Sequence, residues 1–297
     1  MKASALGALL IILSHGLNSL NKVWYADASA YVDPMVYALF GYGSAIVFFW
    51  LVDRRGTQDA WQHRRHWWNI NVSSALTFGC FLYALKFADA VMVSAIESGL
   101  LVIFTLLLGR KDTPLTASDL GSGLAIFALT LASCYFGEGV ETMNGLGLGL
   151  AVLTSLGVAF IIRHQKALAD LGYAPQVIMK HRFYLITAAA AVSVAYHTGQ
   201  WPIVAMGQVA SVELVGIAFV GSALCLYLIQ QGVARCPLHR SSALMASMPV
   251  VTFVVSQAYE GGPLNVPQLL AIVLLALALV RFASRRQAQR PRVNSAA

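Results

Sequence analysis

The sequence predicts an all-α membrane protein of ten transmembrane helices, arranged as two inverted five-helix repeats with both termini in the cytoplasm. Three observations carry this. The 297 residues are 58% hydrophobic and only 11% charged, whereas a soluble domain carries about 25% charge. Their mean hydropathy is +0.68. The apolar sequence also falls into runs of about twenty residues, the length a helix needs to cross a hydrocarbon core of about 30 Å.

The expected spans are 4–22, 34–52, 68–87, 89–109, 118–136, 144–163, 175–197, 212–231, 240–258 and 265–283. Short polar connections separate them. The longest is DRRGTQDAWQHRRHWW from Asp53 to Trp68, whose paired tryptophans suit the headgroup level. Its His63, Arg64, Arg65 and His66 cluster reads as a solvated cytoplasmic loop beside anionic lipid rather than as a nucleotide site. Lys2, followed by an apolar run and Ala26-Asp27-Ala28, has the outline of a secretory signal. The repeat described below argues against it, because 4–22 has a counterpart in 144–163.

The basic residues set the orientation. Lys2, Arg54, Arg55, Arg64, Arg65, Arg110, Lys111, Arg163, Lys166, Arg235, Arg240 and the arginines of the tail fall on one side. Lys180 and Arg182 lie just inside the seventh span near that side, and Lys22 and Lys86 fall on the other with Asp27, Asp33, Glu138, Glu141 and Glu260. This skew is the positive-inside pattern. It accounts for the net charge of +7 as a topology signal at the bilayer and leaves no need for a nucleic-acid partner. The expected location is the cell inner membrane.

The halves resemble each other. GLNSLNK at 16–22 matches GVAFIIR at 157–163, and DPMVYALFG at 33–41 matches APQVIMKHR at 174–182. Leu82-Tyr83 matches Leu226-Tyr227, Ser94-Ala95-Ile96 matches Ser242-Ala243-Leu244, and Pro114-Leu115-Thr116 matches Pro263-Leu264-Asn265. The offset drifts only from 141 to 149 residues. An odd number of spans per copy inverts the second copy. The fourth span accordingly exits in GRKD and the ninth in YEGG. The repeats run over 4–136 and 144–283, followed by a basic cytoplasmic tail at 284–297. Inverted repeats are an architecture of secondary transporters, with a midplane site between the copies.

The candidate site residues are polar or aromatic side chains inside the spans. Glu97 stands near the middle of Ala90–Arg110, on one helical stripe with Ala90, Ser94 and Leu101. A carboxylate at that depth costs roughly 2.5–3.5 kcal/mol on insertion scales. It binds a substrate ammonium, cycles protons, pairs with another side chain, or stays protonated. Arg182 either forks onto a substrate carboxylate or snorkels to the interface. His15 and Asn18 share a face of the first span, as cavity lining or as an interhelical hydrogen bond. Tyr83 and Tyr227, with Phe78, Phe81 and Ser222 nearby, are either apolar walls of a site or ordinary core aromatics. Ser247 and Pro249 mark the ninth span, where a proline kinks the helix or frees a carbonyl. Glu97 in one helix, with Met245 in the corresponding place of its partner, makes the expected cavity lopsided and favours a cargo with a positive group.

Other signals stay structural. Cys80, Cys134, Cys225 and Cys236 are scattered, with no CxxC and no metal-ligand spacing. GLGLG at 145–149 lacks both the preceding strand and the following Lys-Ser/Thr of a phosphate loop, and reads as close helix packing. No cofactor or metal is expected, and no ATP-binding motif is present. An integral-membrane enzyme would need clustered acids and histidines near one face. HxxxxD, HExxH and paired aspartates are all absent. A passive channel usually shows rings of repeated polar residues. A scaffold would be expected to carry a longer tail.

The turn ALKFADA (Ala84 to Ala90), the Pro175-to-Arg182 spacing, Gly16 with Asn18, and Pro249 together resemble the ten-helix, EamA-type members of the drug/metabolite transporter superfamily. The resemblance covers about 4–283. Ala95-Ile96-Glu97-Ser98-Gly99 also resembles the fourth helix of YddG-type amino-acid exporters within that superfamily, although this chain is shorter after it. The first half departs from the pattern at Gly41, where an arginine would stand, and in having no proline in its fourth span. The resemblance implies alternating-access movement of a small metabolite such as an amino acid, nucleoside, vitamin or cationic drug, often outward. Proton coupling through Glu97 and uncoupled diffusion both stay open.

Overall fold

The computed structural model describes residues 2–53, 63–109, 116–137, 145–198, 212–236 and 244–288. They form α1 (Lys2–Ala28), α2 (Pro34–Val52), α3 (Arg64–Phe87), α4 (Ala90–Gly109), α5 (Ala117–Tyr135) and α6 (Gly145–Asp170). There follow α7 (Pro175–His181), α8 (Tyr184–Thr198), α9 (Val212–Arg235), α10 (Met248–Glu260) and α11 (Val266–Ala288). Among the described residues, nine helical segments are long and apolar enough to cross a membrane, α7 and α8 together making one of them. Large apolar side chains stand exposed along α1 (Leu9, Leu13, Leu20) and α11 (Leu270, Leu274, Leu277), as lipid-facing surfaces do. The chain is an all-helical, multi-pass membrane protein.

Local chemistry fixes the helix starts. Asp33 accepts hydrogen bonds from the Met35 and Val36 amides at 2.7 and 3.4 Å, ahead of Pro34 in the first turn of α2. Asp89 does the same for Val91 and Met92 at the start of α4, at 2.9 and 3.1 Å. Thr116 and Asp119 form a capping box on α5. Each cap satisfies amides that the first helical turn otherwise leaves without partners.

The spans differ from expectation where polar side chains reside. α1 continues past residue 22 to Ala28, so Lys22 sits inside a helix and not in an outer connection. The seventh span breaks at Arg182 and Phe183, between α7 and α8. Asn71 of α3 bridges that break: its amide donates to the His181 carbonyl at 2.8 Å and its oxygen accepts from the Leu185 amide at 3.2 Å. α9 contains a π turn at Val220–Leu224. The ninth span, expected as one helix with a kink, turns at residues 246–247 instead, and Pro249 lies in the first turn of α10. Proline suits a first turn because its missing N–H has no partner there. The start of that span, the matches at Pro114-Leu115 and Ser242-Ala243, residues 110–112 of GRKD and the end of the tail lie outside the described residues.

The early helices pack on the late ones rather than forming a separate body. α3 and α4 both pack against α6, α1 against α9 and α10, α2 against α8 and α9, and α5 against α11. Glycines permit the closest approaches. A Cβ on Gly41 would lie 2.9 Å from the Ser222 Oγ and 3.3 Å from the Ala218 carbonyl of α9. A larger side chain at that place has no room unless α9 shifts. Gly157 of α6 presses on Thr77 of α3, where a Cβ would lie 3.2 Å from the Thr77 Cα. Gly157→Leu is expected to cost about 1–3 kcal/mol by overpacking. A lowered melting temperature of the purified protein in detergent checks this.

Candidate functional site

The site is built from charges that the helices bury. Lys22 of α1 is 2% exposed, and its Nζ lies 3.0 Å from Glu97 Oε2, whose side chain is 27% exposed. The ammonium also donates to Ser94 Oγ at 3.0 Å, one turn earlier on α4, and lies 5.1 Å from the centre of the Phe81 ring. Glu97 is therefore neutralised by a partner from α1. The acid wall expected from sequence is an ion pair, with a hydroxyl and an aromatic face completing the ammonium's contacts. Pairing is what a buried charge needs, since each ion removed from water costs several kcal/mol unless well compensated.

His15 lies one and a half to two turns before Lys22 on α1. It is buried, and its Nε2 lies 3.1 Å from the Leu244 carbonyl. That carbonyl sits at the break before α10 and also accepts from the Ser247 hydroxyl at 2.7 Å and the Ser247 amide at 3.0 Å. His15 and Ser247 thus satisfy backbone that the broken helix leaves open. His15 is also within electrostatic reach of Lys22 and Glu97. Asn18 is half-buried on the same helix. Asn21 accepts a hydrogen bond from the Tyr37 hydroxyl and lies against Gly221 in the π turn of α9.

A second charged centre lies where α7 gives way to α8. Arg182 is 4% exposed. Its Cζ stands 4.9 Å from the Phe183 ring and 5.3 Å from the Phe78 ring, and Nη1 meets the Met179 sulfur at 3.3 Å. Tyr42, Phe78 and Phe183 stack together with centroids 4.7, 5.3 and 5.7 Å apart. No carboxylate pairs with Arg182 among the described residues, and its Nε has no hydrogen-bond partner. Arginine does not shed its proton to escape burial. Two ring contacts of about 0.5–2 kcal/mol each fall short of the several kcal/mol that burying an ion costs. Tyr42 of α2 packs on both rings that face the Arg182 guanidinium.

The third buried charge is structural in form. Lys180 is 2% exposed, donates to the Asp53 carbonyl at 3.1 Å, lies 3.8 Å from the Asp53 carboxylate and 3.8 Å from the Trp50 ring centre. It ties α7 to the end of α2.

The sequence-predicted residues thus divide. Glu97 and Ser94 meet at Lys22, Phe78 meets Arg182, and His15 and Ser247 meet at the Leu244 carbonyl. Tyr227 packs edge-on against Phe48 at 5.5 Å, in a group with Phe219, and Tyr83 is half-buried elsewhere on α3. The structure does not bring that tyrosine pair together in one ring cluster. Sequence reasoning missed Lys22, Asn21, Tyr37 and Tyr42. A signal for Lys22 was present: His15, Asn18 and Lys22 recur at i, i+3 and i+7, one face of a helix.

No family model and no curated protein matches the chain. Among 17 matching solved chains, one protein structure aligns with a TM-score of 0.59 at 14% identity, covering 100% of this chain and 99% of the other. At that identity the likeness concerns the fold, and it extends over all the helices described here.

Lys22→Met is expected to lower the melting temperature in detergent by stranding Glu97, and Lys22→Met with Glu97→Met to recover most of the loss. A coupling of about 1–3 kcal/mol is expected, below the 3–5 kcal/mol of a fully buried pair because Glu97 keeps some solvent. A double-mutant cycle measures it.

Proposed function

We propose that this protein is a secondary transporter that moves a small polar or amphipathic organic metabolite by alternating access. The observation that carries the reading is a set of compensated and uncompensated charges, Lys22–Glu97 and Arg182, buried among apolar membrane helices. Ionisable groups at such depth face pathways and cavities by default.

The pattern of helix contacts supports two inverted repeats. Counting α7 and α8 as one span, exchange each span of the first half with its counterpart five spans later. The packing of α3 on α6 then becomes that of α9 on α1, and α4 on α6 becomes α10 on α1. The packing of α2 on α9 likewise becomes that of α8 on α3, while α4 on α10, α5 on α11 and α2 on α8 map onto themselves. Such two-fold exchange is what paired repeats around a midplane site produce. Ten spans follow if α10, with the residues before it, makes the ninth. Both termini then share a side, the cytoplasmic one by the positive-inside pattern. With the motif resemblance, this favours an EamA-type transporter of the drug/metabolite superfamily in the inner membrane.

Amino acids or related amines are the favoured cargo, as an exporter or facilitator. Glu97 offers an oxygen to an ammonium once Lys22 turns aside, and Ser94, Asn18, His15 and Phe78 stand within the same group of helices. Another metabolite class of the superfamily, such as a nucleoside, vitamin or cationic drug, is the second reading, since the ring cluster of Tyr42, Phe78 and Phe183 suits a flat body. Proton movement through Glu97 would couple transport to pH.

Purified protein in liposomes is expected to speed efflux of preloaded amino acids or amines at least tenfold over empty liposomes. Glu97→Gln is expected to change the rate and its pH dependence while the protein still folds. Unchanged efflux and pH dependence in that variant would remove Glu97 from the mechanism; equal leakage with and without protein would remove transport of these solutes.

A further inference from the structure

Resting on the transport reading, the geometry points to a narrower requirement: Arg182, at the break between α7 and α8, is an anion-binding subsite that takes the carboxylate of the cargo, so that a purely cationic amine is not sufficient. The charge balance carries this. Lys22 and Glu97 cancel, and Lys180 lies beside Asp53. The guanidinium of Arg182 is left as the buried cation without a counter-ion among the described residues, where its Nε also has no hydrogen-bond partner. The interior therefore offers a positive centre where the sequence had suggested a negative one.

The surroundings suit an anion. The Ser74 and Thr187 hydroxyl oxygens are also buried without hydrogen-bond partners among the described residues. Ser74 lies between Asn71 and Phe78 along α3, and those two side chains reach the break and the guanidinium respectively. Thr187 of α8 donates its amide to the Phe183 carbonyl at 3.0 Å, one turn earlier, and its hydroxyl has no hydrogen-bond partner among the described residues. A guanidinium N–H and two hydroxyls can each donate to a carboxylate oxygen. The rings of Phe78 and Phe183 lie 5.3 and 4.9 Å from the guanidinium carbon and supply apolar walls beside it. Arginine is suited to the role because it stays charged in an apolar site and presents its donors in a fixed fork.

The test uses full-length protein in detergent and matched probes that differ only in carboxylate against amide. Suitable pairs are 4-methylpentanoate and 4-methylpentanamide, benzoate and benzamide, and leucine and phenylalanine with their amides; inorganic phosphate and sulfate form a separate arm. At least one carboxylate is expected to raise the melting temperature with a saturable dose response, and its amide to leave it unmoved. Arg182→Gln is expected to abolish the shift, and Arg182→Lys to retain it with at least a tenfold weaker Kd. Should Arg182→Gln fail to fold, Ser74→Ala and Thr187→Val serve, each expected to weaken the same Kd severalfold. No shift by any carboxylate, an equal shift by the amide, a shift that survives in Arg182→Gln, or a Kd unmoved in both hydroxyl variants overturns the subsite. A shift by phosphate or sulfate alone also overturns it, since the occupant would then be an inorganic anion. Liposome efflux of the binding carboxylate separates the two readings. Binding without movement sinks transport and leaves the subsite; movement of solutes indifferent to Arg182→Gln sinks the subsite and leaves transport.

Discussion

The interaction on which the rest depends is the Lys22–Glu97 pair. An isolated charge in an apolar bundle costs several kcal/mol, and each residue of the pair offsets that cost for the other. Each therefore specifies the other, and with it the way α1 meets α4. The pair also recruits Ser94 as a hydrogen-bond acceptor and the Phe81 face as a cation-π contact, which draws α3 into the same junction. A contact of charge and dipole is directional, while apolar packing in lipid is not. It fixes the rotation of α1 and α4 about their axes more narrowly than leucine-rich surfaces can.

Once that pair is closed, the electrostatics of the interior change sign. A lone Glu97 would make the centre of the molecule a place for cations. Neutralised by Lys22, it leaves the Arg182 guanidinium as the buried cation without a carboxylate partner among the described residues. Tyr42 of α2 packs against Phe78 and Phe183, the two rings beside the Arg182 guanidinium.

The fold was legible because lipid simplifies the code. Apolar runs of helix length leave few alternatives, and the starts of α2 and α4 are marked by Asp33-Pro34 and Asp89. What the runs concealed was where a helix continues and where it stops. Lys22 looked like the end of a span because charge usually ends one, yet its partner lies 75 residues away in sequence, beyond the reach of any local pattern. Arg182 was visible as a motif position, but its lack of a counter-ion depends on what α2 and α3 do not bring to it. Tyr83 and Tyr227 looked paired because the halves align. Alignment of depth does not decide which way two side chains point.

The irregular backbone is concentrated in the later helices. The α7–α8 break, the π turn of α9 and the turn before α10 all follow residue 175, while α1 to α6 run without interruption among the described residues. Backbone groups freed inside a membrane must find partners in protein, and the early helices supply them. Asn71 of α3 serves both ends of the α7–α8 break, and His15 of α1 serves the Leu244 carbonyl. Asn21 of α1 fills the space above Gly221 in the π turn. The early helices thus act as a continuous frame that satisfies a broken set, and any motion of one set against the other must exchange these bonds. Lys22–Glu97 lies within the frame, between α1 and α4, and Arg182 lies on the broken side, at the α7–α8 break.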